Sequence, residues 1–123
     1  MTNNNKSNSK QYDLEERTFK FARDSRVFIK KVPRTIANIE DSKQLARSTG
    51  SQAANYIEAN EALSKKDFVM RVKICKKEAK ESRLWLRLID IGDDKELEAE
   101  RNALINESEQ LMKIFGSILE KSK

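Results

Sequence analysis

The spacing of apolar and small residues in the third quarter of the chain restricts the fold more than any other sequence feature. These residues recur at alternating steps of four and three: Phe68, Val72, Cys75, Ala79, Ser82, Leu86 and Ile89. A second series follows with the same steps: Leu97, Arg101, Leu104, Ser108, Leu111, Phe115 and Ile118. Such a repeat places the side chains on one stripe of an α-helix and is typical of helices packed lengthwise in a left-handed bundle. The two series therefore predict two long helices that pack through these stripes.

Two further helices are predicted upstream. Leu14, Thr18, Phe21, Ser25, Phe28 and Val32 form a similar series and indicate a first helix from about Asp13 to Val32, which Pro33 ends. Residues 34–40 are predicted as a connector with room for one irregular helical turn around Thr35 to Asn38. The second helix is expected from Asp41, with Gln44 completing a capping box, to about Ala59. Its small residues, centred on Gly50, favour a close helix contact.

Capping residues divide the second half of the chain. Ser64 caps the third helix, which is expected to reach about Asp90. Gly92 suits a left-handed turn, and Asp93 with Glu96 begins a fourth helix that ends near Lys121. Only three Gly and one Pro occur in 123 residues, too few for the frequent turns of a β-sandwich or barrel. The sequence thus predicts an all-α, up-down-up-down antiparallel four-helix bundle over residues 12–123, after a disordered polar tail over residues 1–11.

Apolar residues exceed what one stripe per helix needs. Ile105, Met112 and Leu119 lie seven apart beside the main stripe of the fourth helix, while Ile74, Trp85 and Leu88 lie off the stripe of the third. Surplus apolar surface on a small protein usually indicates an interface, so a homo-oligomer is expected, with Ile74, Trp85, Ile105, Met112 and Leu119 at the contact. The alternative is a broad stripe that packs into one squat core.

Positive charge is concentrated on the third helix. The chain carries +5 overall, and residues 64–92 alone carry +5, from nine Lys and Arg against four Asp and Glu. Five of these residues share one helical face and form what we call the basic stripe: Lys73, Lys76, Lys80, Arg83 and Arg87. A stripe of this length suits a phosphate backbone. The alternative is neutralisation by the acidic fourth helix, within or between subunits, because residues 93–123 carry −3.

The side chains of the common catalytic and metal sites are missing from the sequence. The chain contains no His, the commonest general base and metal ligand, and a single Cys, Cys75, which lies on the core stripe. The three glycines are isolated and form no phosphate-binding loop. We expect no enzymatic activity and no cofactor. No apolar run is long enough to cross a membrane and no signal peptide is evident, so a cytoplasmic protein is expected.

Several segments resemble a known protein family. They are Ser64 to Phe68 (SKKDF), Lys77 to Arg83 (KEAKESR) with Trp85-Leu86, Gln44-Leu45 with Arg47-Ser48, and Ala54 to Ala59 (ANYIEA). Together they resemble the bacterial four-helix-bundle proteins encoded in intervening sequences of 23S rRNA genes, over about residues 12 to 120. The resemblance implies a bundle that assembles as a pentamer, with no established enzymatic activity.

A related branch extends what the resemblance implies. The accessory variability determinant proteins of diversity-generating retroelements form a basic pentameric barrel that binds nucleic acid and a reverse transcriptase. This chain looks closer to the intervening-sequence branch, so a reverse-transcriptase partner is the lesser expectation. The matched polar positions are Glu58, Glu78, Glu81 and Arg83, with Arg47 beside them. For Arg47, Glu58, Glu78 and Glu81 we expect a structural network of ion pairs between helices or protomers.

Two hypotheses about function follow. The first is a non-enzymatic oligomer that binds nucleic acid, RNA or DNA, through the basic stripe, with RNA favoured by the rRNA-gene context of the resembled family. The second is a protein-interaction scaffold in which the stripe serves subunit contacts. Replacing Lys73, Lys76 and Lys80 separates them, because the first predicts loss of RNA binding and the second predicts loss of the oligomer.

Overall fold

Four helices make up the regular structure of the described part of the chain. The computed structural model describes residues 6–123, with side chains described from residue 14 onward. The helices are α1 (Lys6–Ile29), α2 (Ile36–Asn60), α3 (Lys65–Leu88) and α4 (Lys95–Lys121). No β-strand occurs within residues 6–123. The all-α prediction with four helices is confirmed.

Each helix packs against its neighbours in chain order, and α1 also packs against α4, which closes the bundle. Polar contacts show the directions. Arg26 reaches the carbonyl of Ala46, while Asn60 near the other end of α2 donates to Glu15, so α1 and α2 are antiparallel. The α2–α3 pair is antiparallel as well, since Arg47 meets Glu81 and Arg71 meets Asn55. Helices α1 and α3 lie diagonally across the bundle, and among the described residues no Cα atom of one comes within 8 Å of a Cα atom of the other.

The predicted stripes form the core. Val72, Cys75, Ala79, Ser82, Leu86 and Ile89 are all buried, as are Leu97, Leu104, Ser108, Leu111 and Phe115. Phe68 and Ile118 are partly buried against this core. Arg101 departs from its series: it is half-buried, and its guanidinium donates to the carbonyl of Ile89 at 3.0 Å. An arginine at this position thus ties the start of α4 to the end of α3.

Helix α1 extends further toward the N-terminus than predicted. It begins at Lys6 rather than near Asp13, so residues 6–11, which were predicted to be part of a tail, are helical. Residues 1–5 lie outside the described residues, and the tail prediction stays open there. The helix ends at Ile29, and Val32 is buried beyond it.

The connection between α1 and α2 differs from the sequence prediction. Helix α2 begins at Ile36, not at Asp41, because Thr35 is the N-cap and its hydroxyl accepts from the Asn38 backbone N–H at 3.1 Å. The Asn38 side chain then fixes the turn. It donates to the carbonyls of Pro33 (2.9 Å) and Asp90 (2.7 Å) and accepts from the Asp90 N–H (2.9 Å). The predicted capping role of Asp41 was wrong, since Asp41 lies within the helix.

The connection between α3 and α4 follows the prediction more closely. Ser64 caps α3 as expected, accepting from the Asp67 N–H at 3.0 Å. Gly92 adopts φ 67°, the left-handed conformation that glycine tolerates best. The cap of α4 is Asp94 rather than Asp93, because its carboxylate accepts from the N–H groups of Glu96 and Leu97 at 2.9 and 3.0 Å. Within residues 6–123, no helix is both long and apolar enough to cross a membrane.

Candidate nucleic-acid interface

The basic stripe lies on the outward side of α3, toward α4. Lys73, Lys76, Lys80 and Arg87 are exposed, and Arg83 is half-buried. Their steps of three and four residues parallel those of the buried stripe, so burial of one stripe turns the other toward solvent. From Lys73 to Arg87 the stripe spans about 21 Å along the helix axis.

Most of the basic stripe has no counter-charge among the side chains from residue 14 onward. Within the stripe, Arg83 is paired with Glu109 of α4 at 3.4 Å. Lys76 lies across α4 near Gly116, where its Nζ is 3.6 Å from the position that a Cβ would occupy. Among the described residues, Lys73, Lys76, Lys80 and Arg87 form no ion pair.

Acidic residues of α4 pair instead with α1 and with the turn that follows it. Glu107 accepts from Arg17 at 2.8 Å, and Glu100 accepts from Lys31 at 2.9 Å. Neutralisation of the stripe by α4 within one protomer is therefore limited to Glu109 and Arg83. Four cationic side chains on one face remain available for an external anion.

A polar network joins α2 to α3 on the opposite flank of α3. Arg47 donates to both carboxylate oxygens of Glu78 at 3.3 Å and to Glu81 at 3.2 Å. The Glu78 side chain is only 7% exposed, and Ser51 also donates to it, at 3.1 Å. These hydrogen bonds with Glu78 raise the pKa of Arg47 further above its ordinary value. The structure brings these predicted network residues together but leaves Glu58 outside, exposed and with no ion pair among the described residues.

Sequence reasoning missed a second, fully buried polar contact between the same helices. Ser48 and Ser82 share a hydrogen bond of 2.7 Å, and Gln52 donates to Ser82 at 3.1 Å. Small side chains at both positions permit this close approach of α2 and α3. The signal available in the sequence was the run of small residues around Gly50, which predicted close packing but not its polar character.

Cys75 lies in the core beside this contact. It is fully buried, and its thiol donates to the carbonyl of Gln52 at 3.5 Å. Burial raises the pKa of Cys75 from its ordinary 9.0 to about 12. The thiol is thus kept neutral and inaccessible, which is unsuited to nucleophilic chemistry.

Most of the residues predicted at an oligomer interface have partners within the protomer. Trp85, Ile105, Met112 and Leu119 are partly buried and pack against the core, the arrangement expected from the alternative of a broad core stripe. Ile74 differs, since it lines a surface groove on α3. The interface itself stays a prediction.

The large exposed hydrophobic side chains of α3 were mostly missed from the sequence. Met70, Leu84 and Leu88 are 45%, 44% and 53% exposed. Of these only Leu88 stood out as lying off the stripe. The missed signal was a second four–three series on α3, displaced from the core series and interrupted by charged residues.

The fold is similar to that of a solved protein. A protein of unknown function from the S23 ribosomal protein family of Bacteroides thetaiotaomicron matches this chain with a TM-score of 0.69 and 28% sequence identity, over 86% of this chain and 97% of that one. No family model matches the chain, and no curated protein matches it either. The similarity supports a relationship to that family.

Proposed function

We propose that this chain is a non-enzymatic helical-bundle protein that binds nucleic acid, with RNA favoured, through the basic stripe. The observation that carries the proposal is the set of four exposed cations on α3, Lys73, Lys76, Lys80 and Arg87, which have no ion pair among the described residues. Their span of about 21 Å matches roughly six phosphates of one strand at 3.4 Å each.

Three further considerations support parts of this proposal: its non-enzymatic character, the preference for RNA and the effect of an oligomer. The chain has no His and its only thiol is buried, so the usual nucleophile and base pairs are absent from the sequence or out of reach. The preference for RNA rests on the resemblance to proteins encoded in 23S rRNA intervening sequences. An oligomer, of which a pentamer is the expected form, would repeat the stripe around the assembly and strengthen binding through multivalency.

A triple substitution tests the proposal. Lys73→Glu, Lys76→Glu and Lys80→Glu in one chain remove three cations from the stripe. The matched control is Lys20→Glu, Arg23→Glu and Lys30→Glu, which changes the net charge equally on and just after α1, the helix diagonal to α3. Binding of a short fluorescent single-stranded RNA is measured by anisotropy, and mass by light scattering after size exclusion.

The proposal predicts that the stripe variant loses RNA binding at low salt and keeps the mass of the parent protein, while the control variant still binds. Equal loss in both variants would show a response to net charge alone and would overturn the assignment of the stripe. Loss of the oligomer in the stripe variant alone would favour the scaffold alternative, in which these cations serve subunit contacts.

A further inference from the structure

The outward face of α3 carries a second four–three series, apolar at both ends and charged in the middle, most of which the bundle leaves exposed. Met70, Ile74, Lys77, Glu81, Leu84 and Leu88 recur at steps of four and three, and we call this set the outer seam. Three of its members are among the large hydrophobic residues that remain well exposed: Met70, Leu84 and Leu88. A four–three repeat of this kind is the pattern on which another helix packs lengthwise.

The first half of the outer seam forms a shallow groove of about 760 Å³. Its floor consists of Val69, Met70 and Ile74. Lysine side chains line its edges, among them Lys73 of the basic stripe and, outside the stripe, Lys66 and Lys77. No ion pair involves these three lysines among the described residues. The groove therefore combines an apolar floor with an uncompensated positive rim.

The charge and the apolar surface of the groove together indicate which kind of molecule binds there. The seam's one acidic member, Glu81, is paired with Arg47 at 3.2 Å, and the groove itself is lined by lysines and by no carboxylate, so its charge is positive. An apolar floor gains nothing from phosphates, and no residue lining the groove is aromatic, so it offers no stacking surface for bases. A helix with an apolar face and acidic flanks satisfies both features.

The chain's own helices fit this description poorly. Helix α1 exposes Phe19 and Val27, but it carries basic residues beside them, such as Lys20 and Arg23. Helix α4 is acidic, yet none of the well-exposed large hydrophobic residues lies on it. On α2 the exposed Ile36 and Ile57 lie near opposite ends of the helix, with no apolar series between them on the surface. A second copy would thus present the wrong charge, no exposed apolar anchor or no continuous apolar face.

We propose that the outer seam docks an acidic amphipathic helix of a partner protein. The seam spans about 27 Å from Met70 to Leu88, the length of a helix of roughly 18 residues. Apolar side chains of the partner pack on Met70, Ile74, Leu84 and Leu88, and its flanking carboxylates pair with the lysines. This site goes beyond nucleic-acid binding, because its apolar anchors are separate from the basic stripe.

A synthetic peptide tests the docking site directly. The probe is a fluorescent helical peptide of about 18 residues, with Leu at steps of three and four and Glu on both flanks. A scrambled peptide of identical composition has the same charge but no apolar face. We expect the ordered peptide alone to bind in anisotropy titrations, and high salt to weaken the binding.

Substitutions then locate the site. Met70→Asp and Leu84→Asp are each expected to weaken peptide binding by roughly tenfold or more, because each removes an apolar anchor and adds a repelling charge. The matched control is Val27→Asp, since Val27 is 43% exposed and lies on the diagonal helix α1. Lys66→Glu with Lys77→Glu should weaken binding too. Circular dichroism confirms that each variant folds.

The proposal is overturned if the scrambled peptide binds equally well, or if Met70→Asp and Val27→Asp have equal effects. It is also overturned if Met70→Asp lowers the mass of the unliganded protein, which would assign the seam to a second copy. RNA binding is measured on the same variants. If the Met70→Asp variant still binds RNA and the stripe variant does not, the docking site and the RNA-binding site are distinct. The failure of one proposal can then be told from the failure of the other.

Discussion

Asn38 holds together three parts of the chain that are distant in sequence, and its replacement tests this description quantitatively. The side chain is 1% exposed and makes three hydrogen bonds, two to Asp90 and one to Pro33. It thereby joins the turn before α2 to the end of α3. Asn38→Ala removes all three bonds and leaves the Asp90 N–H without its Asn38 acceptor.

The expected cost of Asn38→Ala follows from these contacts. Three hydrogen bonds at about 1 kcal/mol each give a loss of about 3 kcal/mol in the free energy of unfolding. For a chain of this length, that corresponds to a fall in Tm of roughly 12 °C. Urea unfolding and calorimetry measure both quantities. The control is Asn102→Ala on the exposed face of α4. A loss below about 1 kcal/mol, or equal to that of the control, would refute the reasoning.

Three further predictions concern stability. Arg47→Ala should lower the free energy of unfolding, measured with urea, by about 2 kcal/mol, because the buried Glu78 carboxylate loses its cationic partner. Adding Glu78→Gln should recover part of this loss, because a neutral amide is easier to bury. In the folded protein the pKa of Cys75 is raised from 9.0 to about 12. The contribution of Cys75 to the free energy of unfolding is therefore complete below about pH 9 and declines up to about pH 12. Cys75→Ala should flatten this decline when urea unfolding is measured across that pH range. Gly116→Ala should stabilise the protein by about 0.5 to 1 kcal/mol, whereas Gly92→Ala, at φ 67°, should destabilise it by about 1 kcal/mol; thermal unfolding distinguishes the two signs.

The parts of the fold that were predictable depend on local and periodic signals. The buried series of α3 and α4 follows from the helical period alone, and the Ser64 cap follows from a hydroxyl placed just before an amphipathic stretch. The start of α2 was not predictable in this way. Thr35 competes as a cap with Asp41, and what anchors the earlier turn is the bond from Asn38 to Asp90, 52 residues away. The periodicity of the sequence does not reveal long-range contacts of this kind.

The candidate site likewise has features that the sequence predicts and features that depend on tertiary packing. Helical spacing alone placed Lys73, Lys76, Lys80 and Arg87 on one exposed face. Pairing could not be assigned from charge totals, because whether α4 carboxylates reach α3 or α1 depends on the rotation of each helix about its axis. The Arg17 to Glu107 ion pair settles that rotation in the structure and turns one acidic edge of α4 toward α1.

The salt dependence of RNA binding tests the central proposal most directly. If the stripe engages phosphates through four or five cations, the logarithm of the binding constant should fall with the logarithm of salt concentration with a slope of about −3 for single-stranded RNA. In a milder variant with Lys73, Lys76 and Lys80 changed to Gln, which loses the three cations without gaining repelling carboxylates, the slope should shrink by about 2. A slope near zero, or an equal slope in the parent and the variant, would contradict nucleic-acid binding through this face of α3.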